Sequence, residues 1–207
     1  MLYALFFKAK LALFVMKYKE ISFQAHQRGK RMNLEIKKCR ETDIAAVAEF
    51  YDEQVRHMDM TDTNYPLWEY NVYPSITSVR ECTERAEQYF CVLDGEICGA
   101  FVLNENPGGA YEKGKWKRQL SLGEYLVIHT LSVDYKRSGR GIGKRIVEFC
   151  LDTARSGGYK AVRIDVVPIN IPAIRLYEKM GFSFAGEMDL DRAIKEIPSF
   201  SLFEYNF

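Results

Sequence analysis

Residues 125–149 read YLVIHTLSVDYKRSGRGIGKRIVEF, and the change of pattern inside this stretch decides the fold. The run YLVIHTLSV over 125–133 is rich in β-branched and aromatic residues and long enough for a central strand. From Gly141 the pattern turns helical, predicting a helix over 141–155. Between the two, Gly139, Gly141 and Gly143 let main-chain N–H groups approach an anion without a Cβ in the way. The start of the helix adds its partial positive charge there. Arg137, Arg140, Lys144 and Arg145 supply further positive charge, so the turn suits a phosphate-bearing ligand. A strand-to-helix turn with a purely structural role would show the same glycines.

Spacing removes two familiar alternatives. A P-loop needs glycine five positions before Gly143, where Ser138 stands, and Ser or Thr after Lys144, where Arg145 stands. A dinucleotide fingerprint begun at Gly139 would need glycine at Lys144, and one begun at Gly141 would need it at Ile146.

Upstream, 34–36 alternates as a short strand, and Glu41-Thr42-Asp43 offers caps for an apolar-periodic helix over 44–55. A second helical pattern covers 76–87. The runs 89–93 and 97–103 are β-rich and joined by Asp94-Gly95-Glu96, a hairpin signal. Downstream, 161–167 reads as a strand and 172–180 as a helix with proline in its first turn and Gly181 ending it. The runs 184–187 and 200–205 supply two closing strands. The order βααβββαβαββ describes a mixed sheet with helices on both faces, an α/β (α+β) layered domain.

The helix after the fifth strand carries Asn170-Ile171-Pro172-Ala173-Ile174-Arg175-Leu176-Tyr177-Glu178-Lys179-Met180-Gly181-Phe182. The pattern N-x-x-A-x-x-x-Y-E-K-x-G-F, about thirty residues after a strand and G-x-G turn, resembles the coenzyme-A half of the GNAT acetyltransferases. The likeness covers roughly residues 32–207 and implies that family's acyl-CoA N-acyltransferase fold, with a mostly antiparallel central sheet. It implies acetyl-CoA as co-substrate, without a metal, and transfer of the acetyl group to a primary amine of a small molecule, amino acid or peptide. Position by position, it assigns Leu131, Ser132 and Val133 to pairing with the pantetheine arm. It gives the pyrophosphate to the main chain of Gly139, Arg140, Gly141, Ile142, Gly143 and Lys144. Asn170 would bond the cofactor arm, and Tyr177 would stand near the sulfur as general acid. The sequence departs from the family at Ser138, three positions before Gly141, where Gln or Arg is usual; Arg137 sits one place early.

Plain readings stand beside these. Tyr177 could be a core tyrosine, Asn170 only a helix cap, and Gly181-Phe182 serve helix termination and packing. An amine with a pKa near 10.4 must lose a proton before it attacks a thioester. Asp165 and Glu124 are the candidate bases, with His129 third. On a regular strand Glu124, Leu126 and Ile128 share one side, and Tyr125, Val127, His129 and Leu131 the other. The acceptor side falls to the loops 59–75 and 104–123, where Trp68, Tyr70, Tyr111 and Trp116 are candidates for the pocket wall.

The whole chain sets outer bounds. Its 207 residues, 47% hydrophobic, suffice for one domain over 32–207. No stretch has the roughly 18 uninterrupted apolar residues of a membrane span. Lys and Arg number 29 against 28 acids, which gives no reason to expect a nucleic-acid partner. Residues 1–31 are a basic and apolar extension of net charge +6 (seven Lys and Arg, one Glu), with helical spacing of its apolar residues, and lack the pattern of a secretory signal. Five cysteines without a CxxC pair indicate neither a zinc site nor a disulfide framework, and a cytoplasmic location is expected. A homodimer is compatible with this reading. Two other classes of function stay open: a non-catalytic acyl-CoA sensor or regulator of the same fold, and an interaction protein recruited through residues 1–31.

Overall fold

In the computed structural model, which describes residues 33–207, strand β1 (Glu35–Lys38) leads through a short 3-10 turn into helix α1 (Ile44–Met60). The extension read at 1–31 lies outside the described residues. Ile44, Val47, Ala48, Tyr51 and Val55 form the buried stripe of α1, at steps of three and four that match the helical period. Helix α2 (Ile76–Glu84) opens on a capping box: Ser78 N donates to Ser75 Oγ at 3.3 Å and Ser75 N to Ser78 Oγ at 2.8 Å. It ends sooner than the periodicity predicts, because Ala86 takes a left-handed conformation with φ of 58°. Strands β2 (Gln88–Leu93) and β3 (Glu96–Asn104) form the expected hairpin, with Asp94 and Gly95 both at positive φ as its two-residue turn requires.

The chain continues with β4 (Tyr125–Val133), α3 (Ile142–Ser156), β5 (Ala161–Val166), α4 (Ile171–Lys179), β6 (Ser183–Met188) and β7 (Phe200–Asn206). The seven strands make one sheet in the order β1-β2-β3-β4-β5-β7-β6, antiparallel at every step except β4 to β5. The expected order of elements and mostly antiparallel mixed sheet are both present.

Two neighbours on β3 locate the helix layers. Ala100 packs into the cluster built on α1, whereas a Cβ on Gly99 would come within 3.0 Å of Ile146 Cδ1 on α3. Successive strand residues point to opposite faces, so α1 and α3 cover opposite sides of the sheet. Past the centre of the sheet, Tyr111, Trp116, Tyr125, Val127, Leu190 and Leu202 share a second apolar cluster. Arg163 and Glu204 are buried opposite one another on β5 and β7. The Arg163 guanidinium lies 4.0 Å and 4.2 Å from the ring centroids of Trp116 and Tyr125, which offset part of its desolvation.

At its centre the sheet opens. β4 and β5 pair only at Tyr125 with Ala161, Leu126 with Val162, and Val127 with Arg163. On its other side β4 bulges: Val102 and Ala100 of β3 face His129 and Ser132, so three steps on β4 answer two on β3. The extra residue is accommodated at Thr130, whose φ is 45°. Tyr51 of α1 donates its hydroxyl to Thr130 O at 2.9 Å, and Gln88 Nε2 donates to Tyr51 Oη at 3.4 Å and to Phe101 O at 3.1 Å.

Because β3 and α3 touch through Gly99, a Gly99→Val substitution overpacks that contact. We expect it to cost about 1–3 kcal/mol, read in thermal unfolding as a fall in Tm of several degrees. An unchanged Tm would show that α3 does not rest on β3 at this point.

Candidate active site

The gap between β4 and β5 holds a cavity of about 760 Å³. Its walls are residues 128–131 of β4, 164–167 at the end of β5, and Asn170, Ala173 and Tyr177 of α4. These last three recur at steps of three and four, so they share one helix face. Beyond Val127 the edge of β4 that faces β5 has no strand partner, and of the three residues expected at the pantetheine arm Leu131 lines the cavity while Ser132 and Val133 follow it along the strand.

At the far end of β4 the chain enters the glycine turn. Gly139 and Gly141 have φ of 76° and 82°, a region that side chains other than glycine enter at a cost. A Cβ on either would meet nothing within 4 Å, so the space over the turn is open. Gly141 is the N-cap of α3 and supplies no side-chain cap, and the first-turn N–H groups of Ile142, Gly143 and Lys144 have no acceptor within the helix. The turn therefore fits a phosphate group. Gly143 acts differently, since a Cβ there would lie 3.2 Å from Leu176 Cδ2; glycine at this position lets α3 and α4 approach. Arg140 and Lys144 are exposed. Arg137 is not, and pairs with Glu96 and, at 3.7 Å, with Asp134. It points its charge into the fold and does not replace the long side chain absent at Ser138.

Asn170 serves both readings given above: its Oδ1 accepts from Ala173 N at 3.3 Å as the cap of α4, and the residue lines the cavity. Tyr177 is buried, its ring edge-on to Phe182 at 5.5 Å. Burial, followed by the nearby Cys150 and Asp165, pushes its phenol well above the ordinary tyrosine value. It keeps its proton at neutral pH, as an ordinary tyrosine does, and burial makes it the weaker acid of the two.

The two carboxylates expected to act as base are both engaged. Asp165 lines the cavity but accepts two hydrogen bonds from Arg192, Nη1 to Oδ2 at 2.7 Å and Nη2 to Oδ1 at 2.8 Å, and a third from the Tyr111 hydroxyl at 2.5 Å. Both of its oxygens are thus already committed to donors of the fold. Glu124 stands ahead of β4, away from the cavity wall, where it pairs with Lys160 and accepts from Ser121 N at 2.7 Å. The Lys160 contact also lowers its pKa. Of the three residues read as candidate bases, the structure thus places Asp165 and His129 on the cavity wall and Glu124 away from it.

The expected acceptor aromatics divide likewise. Trp68 lines the cavity together with Tyr73, their rings edge-to-face at 6.4 Å. Tyr70 instead lies exposed under Arg56, while Tyr111 and Trp116 are core residues. The sequence reading missed the contribution of the connection between β6 and β7, which supplies Arg192 and Ile194, and of Phe200 at the start of β7. Arg192 also donates to Gly108 O at 2.9 Å and Pro107 O at 2.9 Å, fixing two loops to β5 at once. No helix among the described residues is long and apolar enough to cross a membrane.

Known proteins share this fold. An acetyltransferase of the GNAT family from Streptococcus agalactiae superposes with a TM-score of 0.69 at 16% identity, over 86% of this chain and 98% of its own. YncA of Salmonella typhimurium, solved with its cofactor acetyl-CoA, gives 0.59 at 16% identity, over 84% and 93%. In sequence, streptothricin acetyltransferase of Escherichia coli is 29% identical over 93 residues, 45% of this chain and 50% of that protein. Human N-acetyltransferase 8B is 39% identical over 62 residues, 30% and 27% of the two chains. The matched stretch thus spans half or less of these two relatives. The profile of the Acetyltransferase (GNAT) family matches residues 44–182, a span that contains the bulged strand, the glycine turn and the Tyr177 helix. The chain belongs to the Acetyltransferase (GNAT) family.

Proposed function

We propose that this protein transfers the acetyl group of acetyl-CoA directly to a primary amine of a small molecule, amino acid or peptide. The observation that carries the reading is the opening of β4 from β5 beside an uncapped glycine turn, with Tyr177 buried in the wall of the gap. Relatives named as acetyltransferases, and a fold neighbour solved with acetyl-CoA, support it.

Bound acetyl-CoA supplies an activated thioester; the remaining work falls to this chain. The turn from Gly139 to Lys144 holds the pyrophosphate by main-chain N–H groups and helix polarity. The free edge of β4 at Leu131, Ser132 and Val133 accepts the pantetheine arm as an added strand, and Asn170 bonds it from α4. N–H groups of the same edge stabilise the oxyanion. Tyr177 gives its proton to the departing sulfur. No protein nucleophile is needed, and burial pushes the Cys98 thiol up to about 11, which keeps it inert. Unpaired cysteines suit a reducing compartment, and we assign the activity to the cytoplasm.

Release of free thiol from acetyl-CoA across a panel of amines tests the proposal. Binding without release for every amine would favour the sensor, and absence of binding would overturn both. Within it, Tyr177→Phe should lower kcat by about 10²-fold while the Kd for acetyl-CoA stays as it is; an unchanged rate rejects the acid role. Gly141→Ala should weaken acetyl-CoA binding at least tenfold, because the methyl group enters the phosphate space and strains the turn. The control is Gly95→Ala, which has similar φ and equally open surroundings on the distant hairpin. A Kd that moves equally in both variants would remove the turn from the binding site.

A further inference from the structure

We infer that His129 is the catalytic residue that takes the proton from the incoming amine, held in one tautomer by a relay that starts at Glu87; this rests on the function proposed above. The relay fixes itself step by step. Asn104, at the end of β3, donates from Nδ2 to Glu87 Oε2 at 3.0 Å. A carboxylate only accepts, so the amide group of Asn104 must face Glu87 and its oxygen must face away. That oxygen accepts from Asn106 N at 3.1 Å and lies 3.2 Å from His129 Nε2. The carbonyl oxygen of Asn106 lies 2.9 Å from the same nitrogen. Both neighbours of Nε2 are acceptors, so Nε2 carries hydrogen, and in the neutral ring the lone pair falls to Nδ1. Arg85 anchors the outer end of the relay, donating from Nε to Glu87 at 3.0 Å.

The location suits a proton acceptor. His129 is the last residue of β4 paired with β3 before the bulge, and it lines the main cavity together with Tyr177. It also borders a second chamber of about 140 Å³, lined by Gln88, Asn104 and Asn106 among others. Asp165 from β5, Arg192 from the connection of β6 and β7, and Glu87 ahead of β2 act on the ring, while Tyr73, Cys82 and Tyr51 share the smaller chamber with it. Asp165 and Arg192 are paired with each other and act on the ring in opposite directions, Asp165 more strongly. Burial outweighs the raising effects of Asp165, the Asn106 carbonyl and Glu87, so the imidazole lies below the ordinary histidine value and is neutral, able to accept a proton, at pH 7.

The proton count closes. The acceptor ammonium gives one proton to Nδ1, and the freed amine forms the C–N bond as the C–S bond breaks. Tyr177 protonates the sulfur. The second amine proton restores the Tyr177 phenol through cavity water, and His129 returns its proton to solvent, so each turnover releases one proton.

The test uses the full chain with acetyl-CoA and the best amine of the panel, comparing wild type with His129→Gln across the ordinary histidine value of about 6.5. Because the folded ring has a lowered pKa, wild-type activity should persist below that value and fail only as pH falls through the folded one. The variant should lose kcat by at least about 10²-fold, keep its KM for acetyl-CoA, and show a rate that climbs with pH as free amine becomes available. Nitrogen-resolved NMR of the wild-type ring should find the neutral Nε2–H tautomer at pH 7, a readout independent of turnover and of whether the variant folds. A variant with wild-type rate and pH profile, or a ring found charged or protonated on Nδ1, would overturn the assignment while leaving the transferase standing. A wild type that acetylates no amine would overturn the proposed function and this inference together.

Discussion

Three residue pairs hold β4 to β5, and the rest of the site exists because pairing stops there. A bulge at Thr130 turns β4 out of register, and a β-branched residue in the left-handed region costs about 1–3 kcal/mol. That conformation persists because it is fixed from outside the strand: Tyr51 on α1 hydrogen-bonds the Thr130 carbonyl, and Gln88 hydrogen-bonds Tyr51, both of them buried. The sheet would otherwise gain by continuing its ladder and closing the cavity.

The parting also decides where the helices can help. β4 and β5 are parallel, so the chain must cross over between them, and the crossover helix α3 has to begin where β4 ends. Its N-terminus therefore stands beside the edge that the bulge has freed, and the glycine turn lies at the mouth of the gap. The next helix, α4, leaves the end of β5 and closes the opposite wall with Asn170, Ala173 and Tyr177. Helix polarity, a free strand edge and a buried phenol thus meet through a single topological step.

Local chemistry made much of this legible in the sequence. The change of period after Val133, the Asp94-Gly95 turn and the glycines at 139 and 141 each demand a backbone form that few residues allow, and the bounds of β4 match the run 125–133. The bulge did not show. YLVIHTLSV contains no glycine or proline to mark it, because its support comes from Tyr51, 79 residues away. Alternation alone puts His129 and Leu131 on one side of β4, and the extra residue between them breaks that rule. Asp165 and Glu124 looked equivalent as bases for the same reason: what separates them from the reaction is Arg192 and Lys160, each supplied by a distant part of the chain. Tyr111 and Trp116 likewise read as pocket aromatics until the fold turned them inward against Arg163 and Asp165.

Inside the cavity, the same force acts on two groups in opposite directions. Desolvation disfavours whichever form of a side chain is charged, so it raises the Tyr177 phenol and lowers the His129 imidazole. Both are driven to neutrality, which leaves one as an acid holding its proton and the other as a base with a free lone pair at the same pH. The fixed charges of Asp165 and Glu87 oppose the effect on His129 but do not overcome it. The apolar wall that keeps both groups neutral also makes the phenol a weaker acid and the imidazole a weaker base than in water, so proton transfer between them and the substrate leans on held geometry.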